Sequence, residues 1–241
     1  GVDDKSITPS DLRLEIETTS KRIWITVPYP DNYPNTLFKQ KNEKEMLAEL
    51  HSTIKNNNIF INGFYVHTSK NSETGKWARP SERLLTKNIG KHMLCTAVQY
   101  ALKNGYIDIK GTIELQASGG SCDRYSDREI FEAWSDDQLD LFLEKYPNTI
   151  SNLKHDIMLI KKKAGTYDPS EEIVIPRDDK IDVICAHHQN QKLVNYYKTY
   201  GLEVTSETDA VWTDMKGTIQ SVIDHCASSG FEFGRRKSRK S

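Results

Sequence analysis

The stretch Asn190-Gln191-Lys192-Leu193-Val194-Asn195-Tyr196-Tyr197-Lys198-Thr199-Tyr200-Gly201-Leu202 constrains the fold more than any other. Leu193, Tyr196, Tyr197 and Tyr200 recur at three- and four-residue steps, which places them on adjoining faces of one helix. Lys192, Asn195, Lys198 and Thr199 supply its wetter side. Gly201 stands where a left-handed residue ends a helix at little steric cost. The apolar run at 181–186 (Ile-Asp-Val-Ile-Cys-Ala) precedes this stretch and Leu-Glu-Val-Thr at 202–205 closes it. The pattern predicts a strand, a loop carrying Asn190, a short helix and a second strand. Buried tyrosines seek a partner for the hydroxyl, so tyrosines at a helix edge tend to face a cleft or a polar contact. The plainer meaning of the same spacing is core aromatics with wet tips.

The 241 residues suffice for one large domain, or one domain with an insertion. At 37% hydrophobic and 28% charged, the composition is that of a soluble, polar globular protein and excludes a disordered one. A formal net charge of -1 gives no general reason to expect nucleic-acid binding. The basic tail at 234–241 is the exception, a segment for nucleic-acid, membrane-surface or assembly contacts. No apolar run approaches the ~20 residues of a membrane helix, and the first residues carry no signal-peptide pattern. Cys95, Cys122, Cys185 and Cys226 are dispersed without a CxxC pair. They read as reduced cysteines of an intracellular protein, cytoplasmic or nuclear, with no metal site. His187 and His188 are neighbours that point apart on an extended chain, a poor metal clamp. Their nearness to Asn190 makes either a candidate cleft residue.

Alternation predicts strands at 11–17 and 22–27, followed by a proline-rich loop. Met46, Leu47, Leu50 and Ile54 predict an amphipathic helix over 43–54, ended by Asn56-Asn57-Asn58. Residues 59–66 are rich in β-formers with a bend at Asn62-Gly63. A helix starting near Asn88 carries Ile89, Met93, Leu94, Ala97, Val98, Ala101 and Leu102, and Asn104-Gly105 closes it. A strand is expected at 112–117. Helices are expected over 126–144 and 150–162, a short strand at 173–175, and a last helix over 215–226. The fold class is α/β in the broad α+β sense: a mixed, mainly antiparallel sheet flanked by helices. It forms one domain over 1–233, with a helical insertion at 119–180 and the tail beyond.

The Asn190-to-Leu202 segment resembles the closing motif N-x-x-A-x-x-L-Y-E-K-L-G-F of the GCN5-related N-acetyltransferase superfamily. Asn190 falls on the Asn, Leu193 on the Ala, Tyr196 on the Leu, Tyr197 on the Tyr, Gly201 on the Gly and Leu202 on the Phe. The resemblance implies an acyl-CoA N-acyltransferase-like fold, with acetyl-CoA as co-substrate and a primary amine, on a protein or a small molecule, as acceptor. The family holds pyrophosphate on backbone amides in a Q/R-x-x-G-x-G/A turn that opens a long helix, where free N–H groups and the helix dipole attract an anion. Here that turn is Leu85-Thr86-Lys87-Asn88-Ile89-Gly90, continued by Lys91 and His92. Leu85 departs from the Gln/Arg of the pattern, and Asn88 replaces its first glycine. The same segment also reads as an ordinary helix start capped by Asn88. The family runs from its fifth strand to the closing Asn in a few residues. Either 112–117 is that strand and an insertion follows, or 181–186 is; the insertion is preferred because long surface insertions cost little.

By resemblance, Tyr197 protonates the leaving CoA sulfur, with Tyr196 in its place if the helix is rotated. Asn190 contacts the cofactor, and Lys87, Asn88, Ile89, Gly90, Lys91 and His92 hold the pyrophosphate. For the base, the chain offers Glu114 on the 112–117 strand and His187 or His188 beside Asn190. Two other classes compete. One is a relative that keeps the fold for binding or assembly after its cofactor turn has decayed. The other is a nucleic-acid-associated protein working through the tail and Lys161-Lys162-Lys163.

Overall fold

The computed structural model describes residues 13–29, 37–38, 46–66, 70–71, 88–118, 128–207 and 209–231. Nine strands occur among them: β1 (Glu15–Thr19), β2 (Arg22–Pro28), β3 (Leu37–Phe38), β4 (Met46–Lys55), β5 (Asn58–Val66), β6 (Lys70–Asn71), β7 (Thr112–Ser118), β8 (Glu203–Ser206) and β9 (Trp212–Thr218). The helices are α1 (Ile89–Lys103), α2 (Arg128–Glu132), α3 (Asp136–Leu143), α4 (Pro147–Lys163), α5 (Arg177–Lys198) and α6 (Ile219–Ser228). Seven strands form one open mixed sheet in the order β1-β2-β4-β5-β7-β9-β8, and β3 pairs with β6 separately. The architecture is α+β. By contacts the chain divides into two compact units, residues 1–115 with 217–241, and residues 116–216.

In the first unit, β1, β2, β4 and β5 are successive antiparallel neighbours. Ile23, Ile25 and Val27 of β2, Leu50 and Ile54 of β4 and Ile59 and Ile61 of β5 are buried, each strand sending alternate residues to the core. Residues 46–54 are therefore strand, where helical spacing predicts a helix. The true period is two, over Ala48, Leu50, Ser52 and Ile54, and buried Ser52 conceals it. Its hydroxyl donates to the Ile23 carbonyl at 3.2 Å, so the polar group fits the core. Asn56 and Asn57, at φ 51° and 58°, make the tight β4–β5 turn, the left-handed pair that a two-residue hairpin requires. The bend at Asn62-Gly63 is a bulge: His51 pairs with Gly63 and Ser52 with Ile61, leaving Asn62 extra.

β5 and β7 pair in parallel from Asn58↔Thr112 to Ile61↔Leu115, with α1 in the connection between them. Parallel neighbours need such a crossover. Buried Ile89, Met93, Leu94, Cys95, Thr96, Ala97, Val98 and Ala101 make α1 a core helix. α6 packs on it through Ile219, Val222 and Cys226. A Cys95–Cys226 disulfide joins the two helices, with Cα atoms 5.9 Å apart. Cys185 is disulfide-bonded as well, and no free cysteine occurs among the described residues. The expectation of reduced thiols is thereby overturned. Dispersed cysteines carry no pairing signal in the sequence; the fold brings residues 131 positions apart together.

In the second unit, Phe131, Leu139, Leu143, Ile181, Ile184 and Cys185 form the core, with Trp134, Phe142, Ile150 and Val183 packed around it. Where one helix is expected over 126–144, the described residues form two, α2 and α3, because Ser135 starts α3 with a full capping box to Gln138. Pro147 opens α4, where its missing N–H costs nothing. The strand expected at 181–186 is helical. α5 runs unbroken from Arg177 to Lys198, and the apolar run supplies its buried Ile181, Ile184, Cys185 and Ala186. Length decides between buried strand and buried helix here, since a short apolar run alone fits both. Residues 173–175 form no strand, and 212–218 are strand β9 rather than the start of the last helix. Among the described residues no helix is long and apolar enough to cross a membrane.

Candidate functional site

The residues singled out by sequence fall in both units. In the first, Asn88 adopts φ 70°, ψ 1° at the start of α1, and its side chain makes no capping bond. It is thus a left-handed turn residue and not a side-chain N-cap, and Asn tolerates that conformation better than most. The first helical hydrogen bond runs from the His92 amide to the Asn88 carbonyl at 2.9 Å. The amides of Ile89, Gly90 and Lys91 precede it and are the orphan donors of this helix end. No acidic side chain lies in the first turn, so α1 itself puts no negative charge at the positive end of its dipole. Lys91 turns away, its ammonium donating to the Ser229 carbonyl at 2.9 Å. Burial holds the His92 imidazole below its usual range, and its ring meets Phe231 edge-on at 5.4 Å. Lys87 and Leu85 lie outside the described residues, as does the tail at 234–241.

Glu114 sits on β7 between buried Ile113 and Leu115 and is itself half-buried. The alternation turns it to the face opposite those two residues.

In the second unit, Asn190 is not on a loop. It lies within α5, fully buried, on a stripe with Ala186, Val194 and Tyr197. Its amide donates to the Thr213 hydroxyl of β9 at 2.8 Å, and its carbonyl oxygen is buried without a hydrogen bond. Thr213 was not legible in the sequence: one threonine in an alternating strand carries no signal of its own. His187 and His188 are helical too. His187 Nδ1 lies 2.6 Å from the Ala210 carbonyl, and its ring packs on Phe142 and Tyr146 at 5.1 and 5.3 Å. A carbonyl only accepts, so Nδ1 carries the proton and donates. His188 meets Phe131 edge-on at 5.8 Å. These contacts make both histidines part of the packing around α5.

Tyr196, Tyr197 and Tyr200 cluster at the end of α5. Tyr196 and Tyr200 share a hydroxyl–hydroxyl bond of 2.7 Å. Tyr197 makes none among the described residues, although its ring is 7% exposed. Burial, with Tyr196 beside it, drives the Tyr197 phenol above its ordinary value, so it stays protonated at neutral pH. Gly201 takes φ 77° and ends the helix as its position predicts. No group of His, Cys, Asp and Glu suited to a metal occurs among the described residues.

Comparison of the chain with protein-family models, with curated proteins and with solved structures gave no match.

Proposed function

We propose that the chain is an N-acetyltransferase, moving an acetyl group from acetyl-CoA to a primary amine by direct transfer on an acyl-CoA N-acyltransferase-like sheet. The observation that carries this is topological: β5 and β7 are parallel neighbours in a mixed sheet, and α1 lies between them in the chain. In such a crossover the helix begins at the carboxyl edge of its strands, the edge where α/β proteins bind anionic ligands. The amides of Ile89, Gly90 and Lys91, opened by left-handed Asn88, are suited to a pyrophosphate there.

In the reaction the free amine nitrogen attacks the thioester carbonyl, the C–S bond breaks, and the thiolate needs a proton. By the resemblance, the Tyr197 hydroxyl, which burial keeps protonated, supplies it. The ammonium of the acceptor gives its own proton to a base, for which Glu114 and His187 are the candidates. The intracellular expectation loses its support with the thiols paired; an oxidising compartment is the favoured setting. A relative that keeps the fold but binds no cofactor is the second reading, favoured by the turn of Lys91 onto Ser229. Calorimetric titration with acetyl-CoA, with free CoA and ATP as controls, tests both. Saturable binding that stabilises the fold supports the enzyme. No binding at millimolar acetyl-CoA sinks it and leaves the binding protein.

A further inference from the structure

The seven-stranded sheet ends in β1 on one side and in β8 on the other. β8 is blunted in the way edge strands commonly are. It has four residues, its register slips between Val204 and Ser206, and the Thr205 hydroxyl donates to the Asp214 carbonyl at 3.2 Å. β1 carries none of these devices. Its five residues pair with β2 from Glu15↔Thr26 to Thr19↔Arg22 without a bulge. One hydrogen bond fixes which of its backbone groups point outward. The Ile54 amide donates to the Lys21 carbonyl at 2.7 Å, so the odd-numbered residues here face β4. The even-numbered Arg22, Trp24 and Thr26 therefore face β1, where they meet Thr19, Glu17 and Glu15. The amides and carbonyls of Ile16 and Thr18 then point away from the sheet, as do those of Leu14 just before the strand. No backbone partner for them occurs among the described residues.

The side chains of this edge are sorted by face. Ile16 and Thr18 are half-buried beside Ile25 and Ile23, whereas Glu15 and Glu17 are exposed on the opposite face. Arg13 reaches Glu15 at 3.9 Å, an exposed pair that holds it weakly. A second copy of the chain completes such an edge badly. Outward groups have to meet, so even residues pair with even and odd with odd. A copy centred on Ile16 sets Glu15 against Glu17 twice. One centred on Glu15 or on Glu17 sets that carboxylate against its own counterpart. Like charges directly opposite are destabilising. We propose that β1 is a docking edge for an extended peptide that pairs antiparallel to it and sets basic side chains opposite Glu15 and Glu17. The intervening apolar residues of the peptide bond to the outward groups of Leu14, Ile16 and Thr18 and extend the core face beyond Ile16. An acidic residue opposite Arg13 fixes the direction. This docking is independent of acyl transfer and needs no acetyl-CoA.

The probe is the capped peptide threonine-valine-lysine-valine-lysine-valine-glutamate, titrated calorimetrically into the full chain at low salt. Its second lysine is N-methylated on the backbone, where the amide points away from β1, and the methyl group blocks stacking of the peptide on itself. Saturable one-to-one binding is expected. Moving the N-methyl group to the central valine, whose amide has to reach Ile16, should weaken binding about tenfold or more. Glu15→Gln/Glu17→Gln should weaken it about threefold or more, the worth of two exposed cross-strand ion pairs. Thr18→Pro removes one outward donor and leaves the β2 ladder whole, so it too should cost about tenfold, whereas Thr18→Val should bind as the parent does. Should the proline variant lose its circular-dichroism melt, the two N-methylated peptides on the parent chain carry the comparison. No saturation by about 1 mM, or equal affinity for the two peptides, overturns the proposal; the latter would mean charge attraction without strand pairing. So does sedimentation of the parent as a dimer that Thr18→Pro makes monomeric, which would give the edge to a second copy.

Discussion

Removing the Cys95–Cys226 bridge is the perturbation whose size follows most directly from the structure. The bond closes a loop of 131 residues between α1 and α6. Confining that loop in the unfolded chain removes about 5 kcal/mol of conformational freedom in the chain-entropy treatment. Both cysteines are 0% exposed, so the native helices pack around the sulfurs and an alanine pair also leaves a small void. The double variant Cys95→Ala/Cys226→Ala is preferable to a single change, which leaves a thiol able to mispair with Cys185. It is also preferable to reduction, which opens the Cys185 bond as well. Guanidinium unfolding at 25 °C reads the effect. With a slope of about 5 kcal/mol/M for a chain of this size, the midpoint should fall by about 1 M. The slope itself should rise slightly, because the opened unfolded chain exposes more surface. A non-reducing digest of the parent must also yield a peptide linking the two positions. A midpoint shift under about 0.3 M by the same slope, or a digest without that peptide, refutes the loop-closure reasoning and with it the case for an oxidising compartment.

Three further outcomes follow from the site. Tyr197→Phe should abolish most turnover while leaving acetyl-CoA affinity unchanged in a calorimetric titration; unchanged turnover removes Tyr197 as the acid. Asn88→Gly should keep the fold and cofactor binding, while Asn88→Val should cost about 1–2 kcal/mol in a thermal melt, because a β-branched residue at φ 70° is strained. Stability should decline above about pH 10. The unfolded chain releases its tyrosine protons near their ordinary value of 10.0, while burial keeps Tyr196, Tyr197 and Tyr200 protonated in the fold, so the native state binds more protons there. Tyr200→Phe should flatten that decline in unfolding measurements across pH, and an unchanged slope counts against it.

Legibility in the sequence tracked how cleanly one period dominated each segment. α1 was legible because its buried stripe is long and almost wholly apolar, and β2 and β7 because Ile23, Ile25 and Val27, and Ile113, Leu115 and Ala117, alternate without interruption. Gly201 was legible as a helix stop because a left-handed position nearly names its residue. β4 was not, since Met46, Leu47, Leu50 and Ile54 satisfy helical spacing by accident and Ser52 occupies a core position. The Asn56-Asn57 pair, a hairpin signal, weighs against the helix when read as a turn. The start of α5 was not legible because its apolar run is short and fits a buried strand as well; Pro176 ahead of it and the acidic first turn of Asp178 and Asp179 are the cues that the helix begins at Arg177. The histidines and Asn190 inherited that error, and so moved from a loop into a packed helix. The Cys95–Cys226 bond depends on tertiary contact and has no local trace at all.

The residues that disturbed the pattern share a physical role. Ser52 bonds from β4 to the Ile23 carbonyl of β2, Asn190 from α5 to Thr213 of β9, and Thr149 of α4 accepts the Ala210 amide at 3.0 Å. Each is buried and polar, and each ties its own element to a residue outside it. An apolar residue of similar size would satisfy the hydrophobic pattern but would accept neighbouring registers. A slipped strand exchanges its core and solvent faces, and with Ser52 in place the slip also strands a hydroxyl. Leaving such a group unpaired costs about 1–3 kcal/mol, so the polar ties penalise every register but one. Thr213→Val isolates the effect: the shape is kept and the buried Asn190 amide loses its acceptor. A loss of about 1–3 kcal/mol in denaturant unfolding is expected, and it should disappear when Asn190→Leu is added, because both partners are then apolar. If the single and double variants are equally stable, the Asn190–Thr213 hydrogen bond adds nothing and Asn190 contributes packing alone.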